Sequence, residues 1–333
     1  MKSFKQIKTE EWFEYDLKIT IKPCFKCNHK CWFCSEYDNS TSVWTKDHCD
    51  LVIEKLATIP KNRKKIFIYF YGGEPTLSQH WEYLHERIID ILNDRTLYIQ
   101  TQTNLSLSKK RLDSFLKNIT ETKQEHHTIN ICSSYHIDKQ PVDEFIEKMG
   151  VCDEYDCLGL CFFSTEIPKH DQCIDEFNRL LDVYPNKIKL RFTETHNLAN
   201  KNMPGYKHLL DDQFLVGDDN GKSLEYRYWL RLFPEWKTHF ETGWNFDVDG
   251  KIYNFSDVSG NNIHMKFKYM KCDCGVKNIV IDHTLNVFHC NDDYYSDINK
   301  TPLSQLDIKT YISRPVRCLN NACYDGLDFH KYI

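Results

Sequence analysis

A chain of 333 residues has room for one large domain and a smaller one, and 41% apolar with 14% aromatic residues is enough to build a substantial core. A net charge of -5 disfavours a strong electrostatic hold on nucleic acid, and no apolar run approaches the length of a membrane span. The first sixteen residues, MKSFKQIKTEEWFEYD, are charged and lack the apolar centre of a signal peptide, so a cytoplasmic location is expected. Fifteen cysteines in a chain of this size, grouped at metal-site intervals, point to reduced thiols and metal centres rather than a disulfide framework.

The predicted elements alternate. Residues 17–22, Leu-Lys-Ile-Thr-Ile-Lys, read as a first strand that Pro23 ends, and a cysteine-bearing loop follows. Asp47 to Thr58 reads as a helix with Leu51, Ile53, Leu56 and Ala57 apolar. The basic run around Lys61, Arg63, Lys64 and Lys65 reads as a solvated turn. Lys65 to Tyr71 is nearly continuous in β-formers and ends at Gly72, as a buried strand does. Then come a helix over 79–93, a strand over 96–101, a helix over 108–117 and a strand over 128–133. A helix over 142–149, a strand over 157–163, a helix over 171–184 and a strand over 187–192 complete six strand units. Repeated β-α units imply a parallel sheet with right-handed crossovers, whose functional end is the C-terminal end of the strands.

Beyond residue 200 the pattern changes. Residues 201–240 read as a linker and helical segment containing the aromatic stretch Tyr226 to Phe233, best explained as packing between domains. Phe246 to Tyr253 has an Asp-Gly turn between apolar flanks, and Ile279 to Phe288 is a second candidate hairpin leading into His289-Cys290.

The chemistry concentrates in Cys27-Asn28-His29-Lys30-Cys31-Trp32-Phe33-Cys34, a C-x3-C-x2-C run directly after the first strand. With Cys24 included it also allows a zinc knuckle or a ferredoxin-like four-cysteine run. Both fit poorly: the C-x2-C pairs lie too close together for zinc half-sites, and no second ferredoxin-type run appears. A second signature, Gly72-Gly73-Glu74-Pro75-Thr76, stands at a predicted strand end. Together the two strings resemble the radical S-adenosylmethionine (SAM) superfamily.

That resemblance implies an open partial (β/α)6 TIM-like barrel over residues 1–200, in which Cys27, Cys31 and Cys34 hold a [4Fe-4S] cluster. Three thiolates leave one iron open to chelation by SAM, and reductive cleavage then yields a 5′-deoxyadenosyl radical that abstracts a substrate hydrogen. Cys24 is then a spare thiol. The resemblance sets Phe33 near the adenine, with packing beneath the loop as the alternative. Gly72, Gly73 and Pro75 form the cofactor turn, and Glu74 accepts from the amino group of SAM. Gln102, Thr103 and Asn104 match a polar patch after strand three, and Ser134, Tyr135 and His136 match a segment whose serine approaches the ribose; ordinary loop chemistry accounts for either equally. No catalytic residue is assigned, the candidates being His136, Glu166 and Glu194, with His196 beside them.

Cys272, Cys274, Cys290, Cys318 and Cys323 resemble the SPASM or shorter twitch extension of these enzymes, over residues 241–333. The implied second [4Fe-4S] cluster would use Cys272, favoured over Cys274 by its C-x2-G spacing, with Cys290, Cys318 and Cys323. The interval between Cys318 and Cys323 departs from the commoner spacing, and a structural zinc site remains the alternative. Cys49, Cys132, Cys152, Cys157, Cys161 and Cys173 read as core thiols. The resemblance implies peptide tailoring, or else dehydrogenation of a sugar or other metabolite, with an external donor such as flavodoxin or ferredoxin. With only about sixteen residues before the first strand, a peptide leader would need a separate recognition protein or another surface. A non-catalytic zinc-binding interaction module is the reading from another class.

Overall fold

The computed structural model describes residues 3–7, 15–31, 34, 42–165, 169–192, 245–248, 251–254, 271–295, 297, 299–317 and 331–332. Six parallel strands form its centre: β2 (Leu17–Ile21), β3 (Lys65–Phe70), β4 (Thr96–Thr103), β5 (His127–His136), β6 (Leu158–Thr165) and β7 (Ile188–Phe192). They pair in that order. The connecting helices are α1 (Lys46–Ala57), α2 (Trp81–Ile91), α3 (Lys109–Thr122), α4 (Val142–Glu154) and α5 (His170–Val183). This is the partial (β/α)6 barrel expected.

Period-two alternation decides what each face does. Leu17, Ile19 and Ile21, then Ile66, Ile68 and Phe70, are fully buried against the helices in one continuous core with Leu56, Leu84, Leu116 and Phe145. Each such side chain contributes about 1.5–3 kcal/mol by leaving water. The intervening residues turn to the other face, where polar and aromatic groups gather: Lys18, Thr20 and Lys22 from β2 and its end are buried too. Lys18 lies over the Phe67 ring, and the Tyr69 and Tyr71 rings stack at 5.4 Å. The core of a closed barrel is normally filled with branched aliphatics. A polar interior is suited to a ligand.

Two features depart from the sequence pattern. The predicted hairpin is present as β11 (Asn278–Ile281) and β12 (Asn286–Phe288), but β11 adds in parallel to β2, with Asn278 opposite Lys18 and Ile281 opposite Ile21. With β13 (Thr301–Pro302) the barrel sheet reaches nine strands. The other hairpin, β8 (Asn245–Val248) and β9 (Lys251–Asn254), pairs through β8 with β1 (Ser3–Ile7). That second sheet also contains β10 (Lys271–Cys272), β14 (Val316–Arg317) and β15 (Lys331–Tyr332), so it draws on both ends of the chain. The linker, 201–240, and its aromatic stretch lie outside the described residues. Among the described residues no helix is long and apolar enough to cross a membrane.

Candidate active site

The thiol loop leaves β2 through a closed neck. Phe25 N–H donates to Ser42 C=O (3.0 Å), Trp44 N–H donates to Pro23 C=O (3.0 Å), and Cys24 bridges Val43. Cys24 itself is fully buried, its thiol donating to Lys26 C=O at 3.3 Å, and burial pushes it up to about 11. It is packed into the neck, which agrees with its reading as a spare thiol.

Gly72 and Gly73 receive this neck directly. Gly73 N–H donates to Cys24 C=O (3.0 Å) and Glu74 N–H donates to Lys26 C=O (2.9 Å). A Cβ on Gly73 would stand 2.5 Å from the Phe25 carbonyl oxygen and 2.6 Å from that of Lys26. Gly72 has φ +128°, a conformation that side-chain-bearing residues rarely adopt. The glycine pair therefore exists so that the loop's backbone can lie against it.

Glu74 is 1% exposed and holds the assembly together. Its Oε1 accepts from Thr76 N–H (3.1 Å), Thr76 Oγ1 (2.6 Å) and Thr103 Oγ1 (2.7 Å), and its Oε2 accepts from Asn104 N–H (2.7 Å). Burial raises its pKa and these donors oppose the rise. The sequence reading offers this carboxylate to the cofactor's amino group; in the structure four protein donors converge on it, three on Oε1 and one on Oε2, two of them from the strand-end Thr103 and Asn104. Pro75 opens the 3-10 turn Pro75–Leu77 that aims Thr76 back at the carboxylate.

The other predicted polar residues meet here. Asn104 Nδ2 donates to Asn28 Oδ1 (3.0 Å) and approaches Cys27 Sγ at 3.9 Å, while His29 N–H donates to that sulfur at 3.4 Å. Cys34 N–H donates to Cys31 C=O (3.2 Å), closing a turn between these two cysteines. Gln102 Nε2 donates to Ser134 Oγ at 2.8 Å. The register with β6 shifts between Ile131 and Ser133, a two-residue step on β5 matching a three-residue step from Leu158 to Cys161 on β6, while β5 keeps its own alternation. Tyr135 then packs between Phe145 and Phe163, and Ser134 and His136 take the opposite face.

His29 is a site residue that the sequence reading misses, although its place between Cys27 and Cys31 is the available signal. It is 8% exposed and its ring meets that of His136 edge-on, centroids 5.8 Å apart. Burial, then Lys139 and Lys148, lower it to about 4, so the imidazole is neutral. Burial also pushes Cys27 up to about 11. A metal bound to the thiols of this loop would hold them as thiolates. Three thiols at the mouth of a polar barrel are thus a donor set that fits a cluster with one open iron.

Cys272, Cys274 and Cys290 form a separate buried group against Val316. Cys274 lies well above the ordinary thiol range because its sulfur is hydrogen-bonded to Cys272 and Cys290 and is buried. Cys274, which the spacing set aside, therefore sits with the other two. The β11 register places this group at the start of β11, opposite the β2 end that carries the thiol loop. A cavity of about 510 Å³ lies on the hairpin, lined by residues including Asp282, His283, Tyr294 and Lys300. Phe33, Glu166, Glu194, His196, Cys318 and Cys323 lie outside the described residues.

Residues 21–170 match the family model of the radical SAM superfamily, a segment that contains the thiol loop and the Gly72–Thr76 turn. No curated protein matches the sequence. Among solved structures the chain is similar to polyhistidine-tagged anSMEcpe with bound AdoMet, at 15% identity and a TM-score of 0.53 over 90% of this chain and 80% of that one. Native anSMEcpe with bound AdoMet and the Kp18Cys peptide gives 15% identity and a TM-score of 0.52 over the same shares. At this identity the likeness establishes the shared fold.

Proposed function

We propose that this protein is a radical SAM enzyme, with Cys27, Cys31 and Cys34 as the ligands of the SAM-binding [4Fe-4S] cluster. The observation that carries the reading is the interlock: the thiol loop's neck is hydrogen-bonded, backbone to backbone, onto Gly73 and Glu74 at the strand ends above a polar barrel interior. When bound, the cluster and SAM supply one-electron chemistry that generates a 5′-deoxyadenosyl radical. The chain's own residues bind and orient. Gly72 and Gly73 seat the loop, and Glu74 is a positioning residue that ties it through Asn104 to β4. Gln102 and Ser134, bonded to each other, present a polar edge for the ribose, and Phe33 is offered for the adenine. His136 is the described candidate for contact with substrate, and Glu166 and Glu194 are the other two candidates.

The finer reading is oxidative tailoring of a ribosomally made peptide, which takes support from a fold shared with a protein crystallised with a peptide. A radical dehydrogenase of a sugar or other small metabolite is the second reading. Residues 1–200 would supply the barrel domain's six β-α units, 201–240 a linker, and 241–333 a twitch or SPASM-like domain whose β11–β13 extend the barrel sheet and whose β8 pairs with β1. There Cys272 and Cys290, with Cys318 and Cys323, would hold an auxiliary [4Fe-4S] cluster, and the packing of Cys274 against Cys272 and Cys290 supports a metal centre at that place. A flavodoxin or ferredoxin would supply electrons in the cytoplasm, and a separate protein would recognise any leader.

The test is 5′-deoxyadenosine formation by anaerobically reconstituted protein given SAM and a strong reductant, compared with Cys31→Ala. Turnover lost in the variant is expected. Wild-type protein that fills with zinc and not iron, and releases no 5′-deoxyadenosine, sinks the enzyme reading in favour of the zinc-binding module.

A further inference from the structure

We propose that the thiol loop has a second metal state, in which a single divalent ion of the zinc type is held by His29, Cys31 and His136. The ligand atoms of these three side chains all lie within 4.8 Å of one another. Zinc takes imidazole nitrogen at about 2.0–2.1 Å and thiolate sulfur at about 2.3 Å, so two ligands of one tetrahedral ion stand roughly 3.3–3.7 Å apart. Small rotations of side chains already facing each other close that gap. The ion would have two neutral nitrogens, one thiolate and one open position, a donor set that suits zinc and its neighbours in the first transition row.

The site is built rather than incidental. His29 is 8% exposed, and among the described residues its Nδ1 has no hydrogen-bond partner. A buried ring nitrogen in that position is costly until something binds it. His136 comes from a different element, the end of β5, where the strand's unbroken alternation sets it on the face opposite Ile129, Ile131 and Tyr135. The loop and the barrel each contribute, so the ion would tie the loop to β5.

Cys31 is also the central thiol of the proposed cluster, and one sulfur cannot serve both. Here the inference rests on the proposed function: the mononuclear ion and the cluster are mutually exclusive. Zinc at this site orders the loop in cluster-free protein and must leave before the cluster can be assembled.

Cobalt(II) is the probe, titrated anaerobically into full-length metal-free protein. The expected result is a tetrahedral ligand-field spectrum with sulfur-to-cobalt charge transfer, one equivalent of which weakens by about 100-fold or more in His136→Gln. The Cys272, Cys274 and Cys290 group contributes equally to both proteins and cancels in the difference. His29→Gln serves as an independent second variant, and circular dichroism confirms that each variant folds. One equivalent of zinc, added first, is expected to slow iron and sulfide incorporation in wild type and not in His136→Gln. Cobalt binding unchanged in both histidine variants, as for a site made of thiols alone, overturns the inference. Iron and sulfide incorporation without zinc is read separately: its failure in wild type counts against the cluster, whereas the histidine dependence of cobalt binding stands or falls alone.

Discussion

Replacing Gly73 by alanine tests whether the two motifs are one structure. The new methyl would meet the Phe25 and Lys26 carbonyl oxygens at 2.5 and 2.6 Å, and both are backbone atoms that cannot swing aside. Relief requires the neck to move by most of an ångström, which stretches Gly73 N–H to Cys24 C=O and Glu74 N–H to Lys26 C=O. Overpacking of this kind costs about 1–3 kcal/mol, and each weakened hydrogen bond adds about 0.5–1.5 kcal/mol. A total of about 2–6 kcal/mol corresponds to a fall in melting temperature of roughly 3–9 °C for a protein of this size. Thermal unfolding of the metal-free protein measures it, so that cluster content does not confound the result. Gly150→Ala is the control: its Cβ meets only Tyr184 Oη at 3.5 Å in the middle of α4, and removing a helical glycine stabilises by about 0.5–1 kcal/mol. The two variants should move in opposite directions, and Gly73→Ala should also take up less iron and sulfide. A Gly73→Ala protein as stable and as well loaded as wild type refutes the interlock.

Three further outcomes are expected. Glu74→Gln turns an amide N–H₂ toward donors that now converge on a carboxylate, a loss of about 1.5–3 kcal/mol for each charge-assisted bond broken, read as a lower melting temperature; an unchanged one removes the carboxylate's role as a pin. His85 is fully buried, stacked on Phe70 and bonded to Trp81 C=O and Thr101 Oγ1, and burial lowers it from 6.5 to about 3. A depressed histidine stabilises the fold above its unfolded pKa and loses that contribution as pH falls, by about 2.7 kcal/mol at pH 4.5. Denaturant titrations at pH 7.5 and 4.5 should show that loss shrinking in His85→Gln, and an equal loss in both proteins shows that other groups drive acid unfolding. Cys290→Ala should remove about four irons from the reconstituted protein and leave the SAM-dependent cluster's signal in place. Full iron content in that variant would move the second cluster elsewhere.

The strands and helices of the barrel were legible because each carries its own period, but their ends were not. The third helix reads as ending at Lys117; it runs to Thr122 because Ile119 continues the stripe of Leu112, Phe115 and Leu116, and Thr120 and Thr122 turn their hydroxyls back to helical carbonyls. The fourth strand reads as ending at Ser133, where polar residues begin. It continues to His136 because Tyr135 has a core site between Phe145 and Phe163, a partner only the fold supplies. The cysteine and glycine strings point to the candidate site, yet what each residue touches depends on contacts across the barrel. Glu74 is the clearest case: its partners Thr103 and Asn104 are about thirty residues away, on another strand.

The least legible feature is also the one that joins the two thiol groups. No local pattern says that Asn278–Ile281 should lie beside Leu17–Ile21, yet this parallel ladder sets the barrel's first strand between β3 and a strand from near the C-terminus. At its upper end Lys22 N–H donates to Ile281 C=O, and the hairpin turn reaches the loop's neck. Trp44 Nε1 (3.2 Å) and Ser42 Oγ (3.4 Å) donate to His283 C=O, whose ring lies 4.3 Å from that of Phe25. At its lower end the chain turns through Cys274 to Lys277 within the second thiol group. The register alone separates the ends by about 10 Å of strand, and the two groups extend beyond it in opposite directions. The neck is consequently gripped on one side by the Gly72–Glu74 turn and on the other by the hairpin. Its position is set by the polypeptide's own contacts on both sides.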